Sequence, residues 1–169
     1  MQRRLKLLFV CTANSARSQI AESLVRAKRD PRIEGGSAGT HPASRVNPLA
    51  LTVLREFGID AAAARPKTID DVAEEGWDIV ITVCDSARES CPVFPGQPAM
   101  AHWGVADPAA VEGDDATKLN AFREAARILN RRIELMLALP LEKLESLALE
   151  SELRRIGTTG RDRERATSG

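Results

Sequence analysis

Leu5-Lys6-Leu7-Leu8-Phe9-Val10-Cys11-Thr12-Ala13-Asn14-Ser15-Ala16-Arg17-Ser18 is the stretch on which the fold turns. Leu5 to Val10 is an apolar run broken by one lysine, the pattern of a strand buried on both faces. From Ser15 to Lys28, apolar residues recur at Ile20, Ala21, Leu24, Val25 and Ala27, which is helical spacing. Between them lies a short loop of small polar residues. Strand, loop and helix in that order open a parallel βαβ unit.

The rest of the chain repeats the alternation. Gly35-Gly36-Ser37-Ala38-Gly39-Thr40 reads as a turn or a strand end, and Asn47-Pro48 opens a helix from Leu49 to Phe57 that Gly58 stops. Asp78 to Val83 is a β-branched strand, and Ala99 to Trp103 a short one. Between them, Pro92, Pro95 and Pro98 mark a loop. Asp115 to Leu139 has the spacing of a long amphipathic helix, ended by Pro140, and Leu141 to Ile156 that of a last helix, ended by Gly157. The spacing thus predicts a three-layer α/β protein with a parallel sheet. Residues 1–139 form the domain, 140–157 a helical extension and 158–169 a flexible tail.

Composition narrows the function. With 169 residues, 43% hydrophobic and 28% charged, the chain suits one globular domain and is not disordered. Lys+Arg and Asp+Glu are both 24, so no basic excess points to nucleic acid. No apolar run approaches the roughly 20 residues that span a bilayer. The apolar start stops at Cys11, too soon for a secretory signal, so the expected compartment is the cytoplasm. There, an odd count of 3 cysteines is better suited to catalysis, metal binding or burial than to structural disulfides.

Cys11 and Arg17 flank five small residues at the junction of strand and helix. Backbone N–H groups of Thr12, Ala13, Asn14, Ser15, Ala16, Arg17 and Ser18 can wrap a tetrahedral oxyanion, helped by the helix dipole. The Arg17 fork can grip two oxygens. The same field favours a nucleophilic Cys11 thiolate, to which Ser18 can donate. The alternative is a buried strand-end cysteine with a solvated arginine. Asp107, just past the fourth apolar segment, is placed to hold a proton for a leaving oxygen. Asp107-Pro108 is equally a plain turn signal.

Cys11 to Ser18, the following Gln19-Ile20-Ala21-Glu22, Ser37-Ala38-Gly39-Thr40 and Asp107-Pro108 together resemble the low-molecular-weight protein tyrosine phosphatase family. Within it, Thr82-Val83-Cys84-Asp85, Cys91-Pro92 and His102-Trp103-Gly104 are more similar to arsenate reductases of the thioredoxin-coupled type. The resemblance covers residues 5 to 138. It implies a four-stranded parallel sheet flanked by helices, Cys11 as nucleophile, Arg17 as oxyanion clamp, Asp107 as general acid, and Cys84 and Cys91 as a redox relay. Tyrosine-specific members carry aromatic residues around the acid loop. Here Val105-Ala106 precede the acid and the chain has no tyrosine, which suits a small inorganic anion.

On that resemblance, arsenate is the expected substrate and thioredoxin the expected reductant, with glutaredoxin or a low-molecular-weight thiol as alternatives. A phosphatase using Cys11, Arg17 and Asp107 alone is the competing reading, and a non-catalytic oxyanion or redox sensor a third. Thiols can supply the two electrons, so no organic cofactor is expected. On one helix Cys84 and Cys91 would stand about 10.5 Å apart along the axis, whereas a disulfide needs Cα atoms within about 7 Å. The segment between them must therefore open. Arg88 would share a helix face with Cys84, although a solvated arginine is the simpler reading. A zinc site is weak, because there is no CxxC and His41 and His102 lack ligand spacing. Some family members hold a potassium ion behind the loop. The matching positions here are Asn14, Glu22, Ser37, Thr68 and Asp70, all oxygen donors, and an ordinary hydrogen-bond network is the alternative.

Overall fold

The computed structural model describes residues 3–159. Its elements run β1 (Leu5–Cys11), α1 (Arg17–Lys28), β2 (Ile33–Gly39), α2 (Pro48–Glu56), α3 (Ile69–Val72), β3 (Ile79–Thr82), α4 (Asp85–Ser90), β4 (Ala99–His102), α5 (Asp115–Leu137) and α6 (Ser146–Gly157). The four strands are parallel and ordered β2-β1-β3-β4, with helices packed against the sheet. Cys11 pairs with Gly39, Val10 with Thr82, and Thr82 with His102. The carboxyl ends of all four strands therefore meet along one edge. β1 is where the strand order reverses, and the crevice at such a switch point is where open α/β sheets bind ligands.

Leu7, Leu8, Phe9 and Val10 are fully buried, as the unbroken apolar run requires of a central strand. Phe9 meets Trp103 at 5.9 Å between ring centroids, a tilted pair that joins the strand to the start of the acid loop. Among the described residues no helix is long and apolar enough to cross a membrane.

Four differences from the sequence reading have local causes. The glycine-rich segment is a full strand, β2, because the missing side chains let neighbours close in. A Cβ on Gly36 would lie 2.7 Å from the Trp77 ring, and one on Gly39 2.5 Å from the Thr12 carbonyl oxygen. α1 begins at Arg17 rather than Ser15, because the Ser15 carbonyl is taken by the Asn47 N–H at 2.8 Å. The last helix begins at Ser146, since Leu141 and Lys143 bond back to Leu139 and Pro140 in a turn. Gly157 closes that helix from inside it, wedged against the His102 carbonyl and Trp103 where a Cβ has no room. Most of the predicted flexible tail, residues 160–169, lies outside the described residues.

Candidate active site

The loop from Cys11 to Arg17 is turned inside out relative to a helix. The carbonyls of Cys11, Thr12, Ala13 and Ser15 accept hydrogen bonds from Thr40, His41, Ala43 and Asn47 at 2.8–3.1 Å. With the carbonyls tied outward, the intervening N–H groups face inward, the arrangement that cradles an anion.

Asn14 holds this shape from behind. It is fully buried with φ of 48°, in the left-handed region that asparagine tolerates better than most residues. Its amide nitrogen donates to Ser18 Oγ and Ser37 Oγ, at 2.8 and 2.9 Å. Its oxygen accepts from Gln19 Nε2 and the Lys67 N–H, at 3.0 and 2.9 Å. These bonds explain why Ser18, Gln19 and Glu22 are buried on α1 beside Ile20, Ala21 and Leu24. Ser18 is thus engaged with Asn14, and no Ser18–Cys11 bond forms among the described residues.

Arg17 opens α1 and points across the crevice. Its Nη1 donates to the Val105 carbonyl at 2.8 Å, and its Nη2 stands 3.8 Å from Asp107 Oδ2. Its Nε is buried and without a hydrogen-bond partner among the described residues. Asp107 itself caps the short 3-10 turn Pro108–Ala110, accepting from the Ala109 N–H at 3.0 Å, with its side chain 45% exposed. The turn reading and the site reading of Asp107-Pro108 are therefore both realised in one residue.

Cys11 and Cys84, at the ends of β1 and β3, are both buried and free, and each shifts the other's thiol. Their thiols are pushed in opposite directions. The Cys84 sulfur beside it and burial push the Cys11 thiol up, although Arg17 pulls the other way. Cys84 is pulled down to about 5, first by Cys11 and then, against burial, by Thr12 and the Ala87 N–H. Thr12 Oγ1 lies 3.3 Å and the Ala87 nitrogen 3.4 Å from its sulfur. The loop field was expected to make Cys11 the thiolate. Folding adds a second sulfur beside it, and Cys84 is the thiol pulled low. Arg88 is exposed and is not among the groups that pull Cys84 down.

Cys84 caps the start of α4 and Cys91 follows its end, so a helix of 6 residues separates them. Cys91 is half-buried, and burial holds its thiol above the usual range. A chain of hydrogen bonds ties the helix start to the sheet. Thr82 Oγ1 meets His102 Nδ1 at 2.7 Å, and His102 Nε2 meets Asp85 Oδ1 at 2.9 Å. Sequence reading found His102 only as part of a motif, because its partners lie on β3 and α4 and come together across the sheet edge. Its ring is held there rather than in a ligand set.

Of the five oxygen donors expected around a cation, Asn14, Ser37 and Glu22 are joined in one hydrogen-bonded network, and protein groups already engage them. The Asn14 oxygen is taken by Gln19 and Lys67, Thr68 Oγ1 caps α3 by accepting from Asp71, and Asp70 is exposed. Glu22 accepts from Ser37 Oγ at 2.9 Å and lies 3.4 Å from the Lys67 ammonium and 3.5 Å from Arg26. With its charge met by two side chains of the protein, this set does not fit a resident potassium ion. Lys67 was not singled out from the sequence, since nothing in its local pattern distinguishes it from a solvated lysine.

An oxyanion cradle at the switch point of a β2-β1-β3-β4 parallel sheet, with a cysteine at its lip and an arginine across it, defines a class. The chain belongs to the low molecular weight phosphotyrosine protein phosphatase family, whose sequence model matches residues 6–148. More particularly, it is 37% identical to an arsenate reductase of Halalkalibacterium halodurans over 128 residues, 76% of this chain and 91% of that one. Its structure is similar to an arsenate reductase from Archaeoglobus fulgidus, with a TM-score of 0.59 and 32% identity over 76% of this chain and 98% of that one. It is also similar to a thioredoxin-dependent arsenate reductase from Corynebacterium glutamicum, with a TM-score of 0.56 and 31% identity over 79% of this chain and 64% of that one.

Proposed function

We propose that the protein is an arsenate reductase, an oxidoreductase that converts arsenate to arsenite with thiol electrons. The observation that carries this reading is a second free, buried cysteine, Cys84, held 3.3 Å from the Thr12 hydroxyl of the oxyanion loop that Cys11 opens. A phosphatase needs only the first. The names of the relatives agree with it.

The chemistry balances as follows. Cys11 attacks arsenic, its proton passes to the neighbouring sulfur of Cys84, and one arsenate hydroxyl leaves as water with a proton from Asp107. The loop N–H groups and Arg17 hold the charge that remains on the oxygens. Cys84 then attacks the Cys11 sulfur and gives up its proton to the departing group. The S–As bond breaks with its electron pair staying on arsenic, so arsenic falls from +5 to +3 while two thiols become the Cys11–Cys84 disulfide. Cys91 displaces Cys11 from Cys84 by thiol–disulfide exchange, which requires α4 to open. An external dithiol of the thioredoxin kind reduces the resulting Cys84–Cys91 pair. No organic cofactor enters this scheme, and Lys67 supplies the positive charge at Glu22 that a potassium ion would bring.

Arsenite production with thioredoxin, thioredoxin reductase and NADPH tests the reading. Cys91→Ser should stop after a single turnover with Cys11 and Cys84 joined. Full steady-state activity in both Cys84→Ser and Cys91→Ser would refute the relay and leave the phosphatase reading.

A further inference from the structure

The family match ends at residue 148, so most of α6, from Leu149 onward, lies beyond it. Yet α6 grips the strand and loop that lead to Asp107. Along β4, Met100 donates its N–H to Glu150 at 2.9 Å and accepts from Arg154 Nε at 3.2 Å, closing backbone groups of an edge strand. At the strand's end, Gly157 is packed against the His102 carbonyl and the Trp103 ring.

Three consecutive loop residues are then fixed one by one. Trp103, fully buried, donates its indole N–H to the Leu153 carbonyl at 2.9 Å. The Gly104 carbonyl accepts from Arg132 Nη1 at 3.1 Å, and Arg132 Nη2 donates to the Thr159 carbonyl, also at 3.1 Å. The Val105 carbonyl accepts from Arg17. Arg132 is a buried arginine on α5, so one guanidinium spans the acid loop and the chain leaving α6.

A helix that merely covered apolar surface would need none of these bonds. Directional contacts to successive residues of an irregular loop fix where its next side chain stands. We propose that α6 and Arg132 are positioning elements for Asp107, so that the C-terminal extension sets the rate of the acid-assisted step. The inference rests on Asp107 being the acid.

The test is the rate at which the Cys11–Cys84 disulfide appears after arsenate is mixed with the full-length chain carrying Cys91→Ser. Arg132→Lys keeps the charge but cannot bridge two carbonyls. It should slow disulfide formation roughly tenfold, since small misplacements of a reacting group cost that much or more. Competitive binding of inorganic phosphate should stay within about twofold, because the cradle is untouched. In an Asp107→Asn background the same substitution should cost less than about twofold, as expected for two residues acting through one another. Trp103→Phe, which removes the donor together with one ring of the indole, should also slow disulfide formation, and serves if Arg132→Lys does not fold. Equal slowing in both backgrounds, or none in either, overturns the proposal. An unchanged rate in Asp107→Asn alone refutes the acid assignment, and the positioning role with it. Slowing by Asp107→Asn without slowing by Arg132→Lys or Trp103→Phe overturns the positioning role only.

Discussion

The Thr12 hydroxyl lies 3.3 Å from the Cys84 sulfur, linking the oxyanion loop to a cysteine 72 residues away. On the proposed relay, that bond lets the oxyanion loop also prepare the second nucleophile. Thr12→Val removes the donor and keeps the shape. The Cys84 thiol should then titrate higher, and the pH dependence of its alkylation by iodoacetamide, followed by mass spectrometry, should move up. An unmoved profile would assign the lowering to Cys11, Ala87 and Arg17.

The same ionisation makes stability depend on pH. Cys84 is held at about 5 in the folded chain against an ordinary value of 9.0. The unfolded chain therefore binds the extra proton between those limits, and stability rises with pH across them. The contribution is lost as pH falls through about 5. Cys11 acts oppositely above its ordinary 9.0, where the unfolded thiol ionises and the folded one does not. Urea midpoints between pH 5 and 9 should climb in the wild type and flatten in Cys84→Ser, after subtraction of the carboxylate and histidine background common to both.

Asn14→Ala deletes four hydrogen bonds, three of them buried, and the residue type that tolerates a positive φ. With Gln19, Ser37 and the Lys67 N–H each losing a partner, the cost should be about 3 kcal/mol of unfolding free energy. Phosphate binding should weaken in parallel, because the loop loses its backing. Chemical denaturation and a binding titration on one preparation measure both.

Replacing potassium by sodium or choline at constant ionic strength should leave the melting temperature and the single-turnover rate of the wild type unchanged. Lys67→Met leaves the Glu22 carboxylate with exposed Arg26 as its remaining cation. That variant should melt lower and regain part of the loss with added monovalent cation. A strong potassium effect on the wild type would contradict the role given to Lys67.

Opening of α4 should limit the second exchange. Ser86 and Ser90 are exposed and weak helix formers. Ser86→Ala should favour the helix by about 0.5 kcal/mol, and so slow Cys84–Cys91 formation by roughly twofold while leaving Cys11–Cys84 formation unchanged. Quenched-flow sampling with mass mapping separates the two steps.

What was legible along the chain was local. The apolar run before Cys11, the helical spacing after Arg17 and the β-branched run before Cys84 reflect backbone geometry and burial, which neighbouring residues reveal. So the parallel α/β class, the cradle and the three cysteines could be read directly. Folding alone decided the rest, because it depended on which distant groups share a low-dielectric space. It settled a glycine-rich segment, readable as a turn or a strand end, as the body of β2 by bringing Trp77 and the Thr12 carbonyl against it. It brought Cys84 beside Cys11, so that the Cys11 thiol is pushed up and the Cys84 thiol down. It set Lys67 against Glu22, and it turned a terminal amphipathic helix into a brace for the acid loop. Charge, protonation and alignment are properties of pairs, and these pairs lie far apart in sequence.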